Sequence, residues 1–380
     1  MTSRFALCCL LLIALLLPAT PVTAESPILL GDPATRAIYL VVAGEKRLLP
    51  DLATLTAFGL ALEYVQWQGA LLDAYPTGPN LLAFSGGDLL RDEGSGELVL
   101  LWRGRHPVED AATLSALGWD PDSARPVPGA LLALLPLRDP LPTLHPGDIV
   151  REAGSDCLYL LAAGRHWIPD TAVIRACGWR QRPVRELELW LMRMIPQGDV
   201  VPSLCEGCLL RSSEAADAPV YLLDEGKHLI PDEATFAAYG WRATRIWTIP
   251  PALLDAIAEA APLAHAEKGV NVFASRYRGE CTWYVAERRI PPSSRDAINW
   301  LEDARASGFA TGQRPLPGAI IVYGRAHGVY GHVAYIEAVF PDGSFALADS
   351  NICGWECVRT RLTSLDKEVG VLGFVYWRYE

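Results

Sequence analysis

The sequence predicts an α+β protein in two parts, and two observations carry that prediction. Residues 25–261 repeat one apolar and glycine pattern four times, the mark of small β-rich units that each hold a short helix. From residue 271 the pattern changes to a cysteine-bearing helix followed by a run of strands.

The chain begins with a leader. Arg4 supplies a short positive region, Phe5 to Leu17 is an unbroken apolar run, and "PATPVTA" ends in small residues at Val22 and Ala24. This layout predicts a secretory signal peptide over residues 1–24, cleaved after Ala24. The apolar run is shorter than the roughly 20 residues that span a bilayer, so cleavage rather than anchoring is expected. Cys8 and Cys9 leave with it, and the mature protein is expected to be secreted.

The four copies align on "YLVVAGEKRLLPD", "VLLWRGRHPVED", "YLLAAGRHWIPD" and "YLLDEGKHLIPD". Their turn glycines, Gly44, Gly104, Gly164 and Gly226, are spaced by 60, 60 and 62 residues, and the expected boundaries are 27–86, 87–146, 147–206 and 207–261. Each copy predicts a hairpin, a glycine turn, a third strand and then a helix. Asp51, Asp170 and Asp232 are placed to cap the start of that helix, and a glycine closes it. A second apolar turn ends the unit at Leu71, Leu131, Leu191 or Leu253. One unit encloses little interior, so neighbours are expected to share apolar faces. Trp119, Trp179 and Trp241 recur at one place and are read as packing residues; His106, His166 and His228 are read as the exposed face of a strand.

Charge and cysteine content narrow the function classes. Residues 262–380 hold as many acidic as basic side chains, so residues 25–261 carry the whole acidic excess of a chain with formal charge -11. That argues against nucleic acid, which needs clustered cations. Seven cysteines remain after the leader, and an odd number in an exported chain leaves at least one thiol free. Proximity suggests Cys157 with Cys177, Cys205 with Cys208, and Cys353 with Cys357, although sequence does not choose among the connectivities. "CEGC" at 205–208 lacks the strand-to-helix setting of a reactive dithiol, and no zinc-type spacing is present, so no metal or cofactor is expected. The cysteine left over is Cys281.

Residues 262–270 read as a linker. Beyond them "CTWYVAERR" predicts a helix and "DAINWLEDARASG" an amphipathic helix ending at Gly308. Strands follow in "GAIIVY", "GHVAYIEAVF", "SFALADSN" and "GVLGFVYWRY", with the turn "PDGS" joining the second and third. Cys281 at the start of a helix gains the positive end of its dipole, which favours a thiolate. His332 opens a strand as a candidate base, with Asp349 and Asn351 on the next strand to orient it. The N–H of Cys281 and the hydroxyl of Tyr277 are candidate donors to an oxyanion, with Glu280 and Trp283 beside the nucleophile. His327 is read as lining the rim.

These residues resemble the CHAP domain, a cysteine- and histidine-dependent amidohydrolase and peptidase module. The resemblance rests on "GECTWYVAERR" with Asn271 and Tyr277 upstream, "NW" at Asn299 and Trp300, "LPGAIIVY", "GHVAYIEAVFPDGSF" and "ADSN". It covers roughly the last third of the chain. It implies a papain-like fold over residues 271–380, Cys281 as nucleophile and His332 as base. Asp349 stands where the family commonly has Glu, and Asn351 is expected as the orienter with Asp349 assisting. The implied activity is cleavage of an amide bond in peptidoglycan or its stem peptides, at the periphery of the cell wall, by an N-acetylmuramoyl-L-alanine amidase or endopeptidase. The competing reading is a non-catalytic exported adaptor that binds the wall.

Overall fold

The structure, a computed structural model, describes residues 27–380; the expected leader lies outside the described residues. They form an α+β chain in two compact units. One holds the residues up to Glu109 together with Pro121–Leu141, and the other holds Asp110–Asp120 with Pro142–Glu380.

The first unit contains two four-stranded sheets. In the first sheet Glu45–Leu48, Ile38–Val42 and Leu29–Gly31 lie antiparallel, and Val65–Gln66 adds parallel to Leu29–Gly31. The second sheet has the same order with Arg105–Pro107, Leu98–Leu101, Leu89–Asp92 and Arg125–Val127. Their shared core includes Leu40, Phe58, Leu90, Val99 and Leu131.

The second unit contains two more sheets of that order, ending in the parallel strands Val184–Leu187 and Ile246–Ile249. The sequence foresaw the three antiparallel strands but not the parallel fourth. Its partner lies more than thirty residues upstream, and a parallel ladder leaves no local turn signal. The helix Ala111–Leu117 belongs to this unit, although its sequence copy was expected to lie together over residues 87–146.

Local chemistry explains the helices. Asp51, Asp110, Asp170 and Asp232 each accept a hydrogen bond from a backbone N–H of the first turn, satisfying a donor that the helix itself leaves open. At the other end a helix carbonyl takes a donor from the following sheet: Gly104 N–H to Ala57 O, Gly164 N–H to Ala116 O, and Gly226 N–H to Ala176 O. After the helix Glu233–Ala238 the same role passes to Ile290 N–H, 2.6 Å from Ala238 O. The carboxy-terminal domain thus occupies the place of the next sheet.

That domain is built from the helices α1 (Cys281–Arg288) and α2 (Trp300–Ala306) and six strands. These are β1 (Thr311–Gly312), β2 (Ile320–Tyr323), β3 (His332–Val339), β4 (Phe345–Ser350), β5 (Val358–Thr363) and β6 (Val371–Val375). The sheet order is β1-β6-β2-β3-β4-β5, all antiparallel. Trp300, Tyr323, Phe345, Phe374 and Trp377 fill its core, which also takes in Leu209, Leu222, Ala238 and Tyr239 from the preceding sheet and helix. Arg289 is wholly buried at this junction. Its guanidinium donates to Gly318 O and Tyr376 O and lies 5.0 Å from the Tyr239 ring.

Several expectations need correction. The stretch 262–270 is not a free linker throughout, because Leu263 is buried and bridges to Tyr379, while Ala266 N–H bonds Thr235 Oγ1. His228 is buried rather than exposed, and His106 and His166 are half-buried. In each, both ring nitrogens meet backbone carbonyls. Trp179 packs as expected, its indole donating to Ala256 O.

Of the three suggested cysteine pairs only Cys353–Cys357 is bonded. Cys157 is exposed and Cys177 is fully buried at a helix end, and both are free thiols. Cys205 and Cys208 are free thiols with sulfurs 2.8 Å apart.

Candidate active site

Cys281 is the first residue of α1, and Glu280 before it adopts the extended conformation of a helix cap without a side-chain capping bond. The sulfur is buried against β3, where the backbone N–H of Val333 faces it. Burial pushes the Cys281 thiol up to about 11; the Val333 N–H offsets part of this, and the Glu280 carboxylate adds to it. The helix dipole therefore does not yield the ready thiolate that the sequence suggested, because desolvation of the charged form is the larger effect.

His332 precedes Val333 and opens β3, opposite Tyr323 of β2. It is nearly buried, and its Nε2 lies 3.5 Å from Asp349 Oδ2 without a hydrogen bond in the resting structure. Asp349 stands near the end of β4, next to β3. Its neighbour across β4 and β5 is Arg359, whose Nη2 and Nε donate to the two carboxylate oxygens at 3.2 and 3.4 Å. Burial alone would raise the Asp349 carboxyl; the His332 ring and the Arg359 guanidinium outweigh it and hold it below the ordinary range. Asp349 is therefore an anion held ready beside the imidazole.

Asn351 does not orient His332, contrary to expectation. Side chains two apart on a strand share a face, which would bring Asn351 to the side of Asp349. But β4 ends at Ser350, and Asn351 takes a left-handed backbone with φ +68, leaving that alternation. Its Nδ2 donates instead to Glu280 Oε2 at 2.9 Å, so both residues fix the turn before Cys281. Ser350 Oγ adds a bond to Gly279 O at 2.7 Å.

The remaining expected residues sit at the margin. Tyr277 is exposed and its hydroxyl accepts from Arg276, so it is not aimed as an oxyanion donor in this resting geometry. Trp283 is half-buried, with its carbonyl held by Asn271 Nδ2 and its ring beneath Arg278. The Cys353–Cys357 disulfide closes the loop after β4, whose Glu356 contacts the turn at Gly279.

Sequence reasoning missed one support, Arg359, and placed another, His327, only at the rim. Arg359 was legible only through the β4–β5 register, which pairs it with Asp349. His327 stacks on His332 with ring centres 5.9 Å apart and is tied to Val369 O. Beneath the two histidines lies Tyr323, which donates to Glu368 at 2.7 Å. Glu368 in turn accepts from Arg361 and Thr363, and despite burial these bonds hold its carboxyl at about 2.

The site thus holds a buried thiol at a helix start and, on the strand packed against it, an imidazole beside a carboxylate anion. The CHAP domain model matches residues 272–351. The staphylococcal secretory antigen SsaA of Staphylococcus aureus is 33% identical over 111 residues, which are 28% of this chain and 42% of the relative. The SsaA protein of Staphylococcus epidermidis is 38% identical over 76 residues, 19% of this chain and 29% of that one. The chain therefore spans under half the length of these curated relatives. Among solved structures, an N-acetylmuramoyl-L-alanine amidase from Staphylococcus aureus aligns over 26% of this chain and 31% of its own, at 27% identity and a TM-score of 0.24. On its sequence match, the segment from residue 272 to residue 351 is a CHAP domain.

Proposed function

We propose that the carboxy-terminal domain is a cysteine hydrolase that cleaves an amide bond of peptidoglycan, as an N-acetylmuramoyl-L-alanine amidase or endopeptidase acting outside the cytoplasm. The observation that carries this reading is the buried His332–Asp349 pair, backed by the half-exposed Arg359, beside the helix start that bears Cys281. The match of residues 272–351 to the CHAP domain supports the same class. The secretory relatives support export.

With Nε2 turned to Asp349, Nδ1 of His332 is the nitrogen left to serve the thiol. A thiol pushed up to about 11 keeps its proton at neutral pH. The imidazole therefore removes that proton as the sulfur attacks the substrate carbonyl, rather than resting as a preformed ion pair. Charge develops on the carbonyl oxygen, where the N–H of Cys281 at the helix start can meet it. The imidazolium, steadied by the Asp349 anion, protonates the leaving amine. Water activated by His332 then releases the acyl group from the sulfur. The four sheets of identical order ahead of the domain are read as one repeated unit, the last of which is part of the hydrolase core.

The test is fragment release from purified sacculi, identified by mass spectrometry. The parent protein should liberate new amine termini, and Cys281→Ala should lower the rate by about a thousandfold or more. Equal rates for parent and variant would leave the wall-binding reading in its place.

A further inference from the structure

We propose that Cys205 and Cys208 form a redox-active dithiol that exchanges with small aliphatic disulfides, Cys205 attacking and Cys208 resolving. This reverses the sequence-based expectation of a plain structural disulfide, and it is independent of the hydrolase site. The two sulfurs are 2.8 Å apart, short for separate thiols yet longer than the roughly 2.05 Å of a bond. Cys208 Sγ also accepts the backbone N–H of Cys205 at 3.2 Å. The pair is asymmetric, since Cys205 is half-buried and Cys208 is buried. Both border a cleft of about 1000 Å³, together with Arg175, Trp247, Arg314 and Phe340, within the size that admits a small molecule.

The loop between the cysteines is held from both sides. Glu206 is buried, and its Oε2 accepts from Arg175 at 2.9 Å and from Arg314 of the carboxy-terminal domain, while its Oε1 has no partner. Gly207 has φ +84, and a Cβ there would stand 2.5 Å from Pro317 Cδ, so only glycine fits. These contacts fix the sulfurs at exchange distance. Hydrogen bonding makes the two thiols unequal: the bond between the sulfurs holds Cys205 below its ordinary value, and the same bond together with burial pushes Cys208 far up. An attacking thiol needs the first property and a resolving thiol tolerates the second.

In the reaction the Cys205 thiolate attacks one sulfur of the disulfide. A bond forms between them, the disulfide's own S–S bond breaks, and its second sulfur leaves as a thiolate that takes a proton. Cys208 then gives up its proton, and its sulfur displaces the first small thiol from Cys205. Two electrons and two protons pass from the pair to the disulfide, which becomes two thiols.

The test uses the full chain equilibrated in glutathione buffers from fully reduced to fully oxidised, quenched with iodoacetamide and mapped by mass spectrometry. The peptide spanning 205–208 should pass from doubly alkylated to internally bonded, with a midpoint inside the buffer range. Cys208→Ser should accumulate glutathione on Cys205 at least about tenfold faster than Cys205→Ser accumulates it on Cys208. A peptide that stays alkylated in the most oxidising buffer, or bonded in the most reducing one, overturns the proposal, as does equal labelling of the two variants. The titration of the unaltered chain decides the matter even where a variant folds poorly. Sacculus digestion is read separately and does not enter this outcome.

Discussion

His332 depends on one carboxylate for its orientation, because Asn351 is spent on Glu280 and Asp349 is fixed by Arg359. Asp349→Asn removes the anion that steadies the imidazolium and should lower kcat by about a hundredfold to ten-thousandfold. Asn351→Ala loosens the turn before Cys281 and should cost much less. Steady-state hydrolysis of wall fragments by both variants checks the order, and a larger loss for Asn351→Ala would sink the assignment. Thiol ionisation gives a second test at this scale. The Cys281 thiol is pushed up to about 11, so its alkylation by iodoacetamide should climb with pH toward that value. Glu280 opposes the thiolate by like charge. Glu280→Gln should therefore shift the profile to lower pH by about one unit or less, and an unmoved profile would show that Glu280 has no such influence. The sign also bears on stability. A thiol raised from 9.0 stabilises the fold below pH 9.0 and loses that contribution as pH rises through about 11.

At the scale of elements, the site is assembled by where β3 begins and where β4 stops. Gly331 sets the first of these. It has φ +72, and a Cβ at this position would lie 2.6 Å from Tyr323 O and 2.9 Å from Ile298 Cα. Gly331→Ala must push back the entry to β3 and with it His332. Its expected cost is about 2–3 kcal/mol in urea unfolding, together with a loss of hydrolysis. A variant as stable and as active as the parent would falsify the role given to this turn. The end of β4 acts the opposite way: Asp349 stays on the histidine's side because the strand persists through Ser350, and Asn351 departs because its backbone turns left-handed.

The whole molecule shows why the carboxy-terminal domain is not a separable bead. Tyr239, in the last small unit, is fully buried in the core of the carboxy-terminal domain, takes the N–H of Arg378 on its hydroxyl at 3.0 Å, and faces the buried Arg289 guanidinium. Arg289 lies directly after α1, so this packing anchors the helix that starts at Cys281. Tyr239→Ala opens a cavity there and strands a buried cation. It should destabilise the carboxy-terminal sheet by about 3–5 kcal/mol, although the substitution lies far upstream of it in sequence. Hydrogen exchange at β2 and β6 measures this, and unchanged protection in those strands would refute the shared core.

The candidate site residues were legible in the sequence because their signals are local. A thiol at a helix start, a histidine opening a strand and three of the aspartate-capped helix starts, at Asp51, Asp170 and Asp232, are all written in stretches of a few residues. Their division of labour was not legible, because it depends on distance and exposure. Register set Arg359 against Asp349, a single left-handed residue withdrew Asn351, and burial raised the thiol of Cys281. The same holds for the cysteines outside the site. Spacing nominated three pairs, but Cys157 and Cys177 stay free, one exposed and one buried, and the clamped loop that meets Pro317 holds Cys205 and Cys208 with sulfurs 2.8 Å apart. Sequence determined which groups are present and which local elements bear them; tertiary structure decided which groups meet and which are dehydrated, since both are properties of packing between segments far apart in the chain.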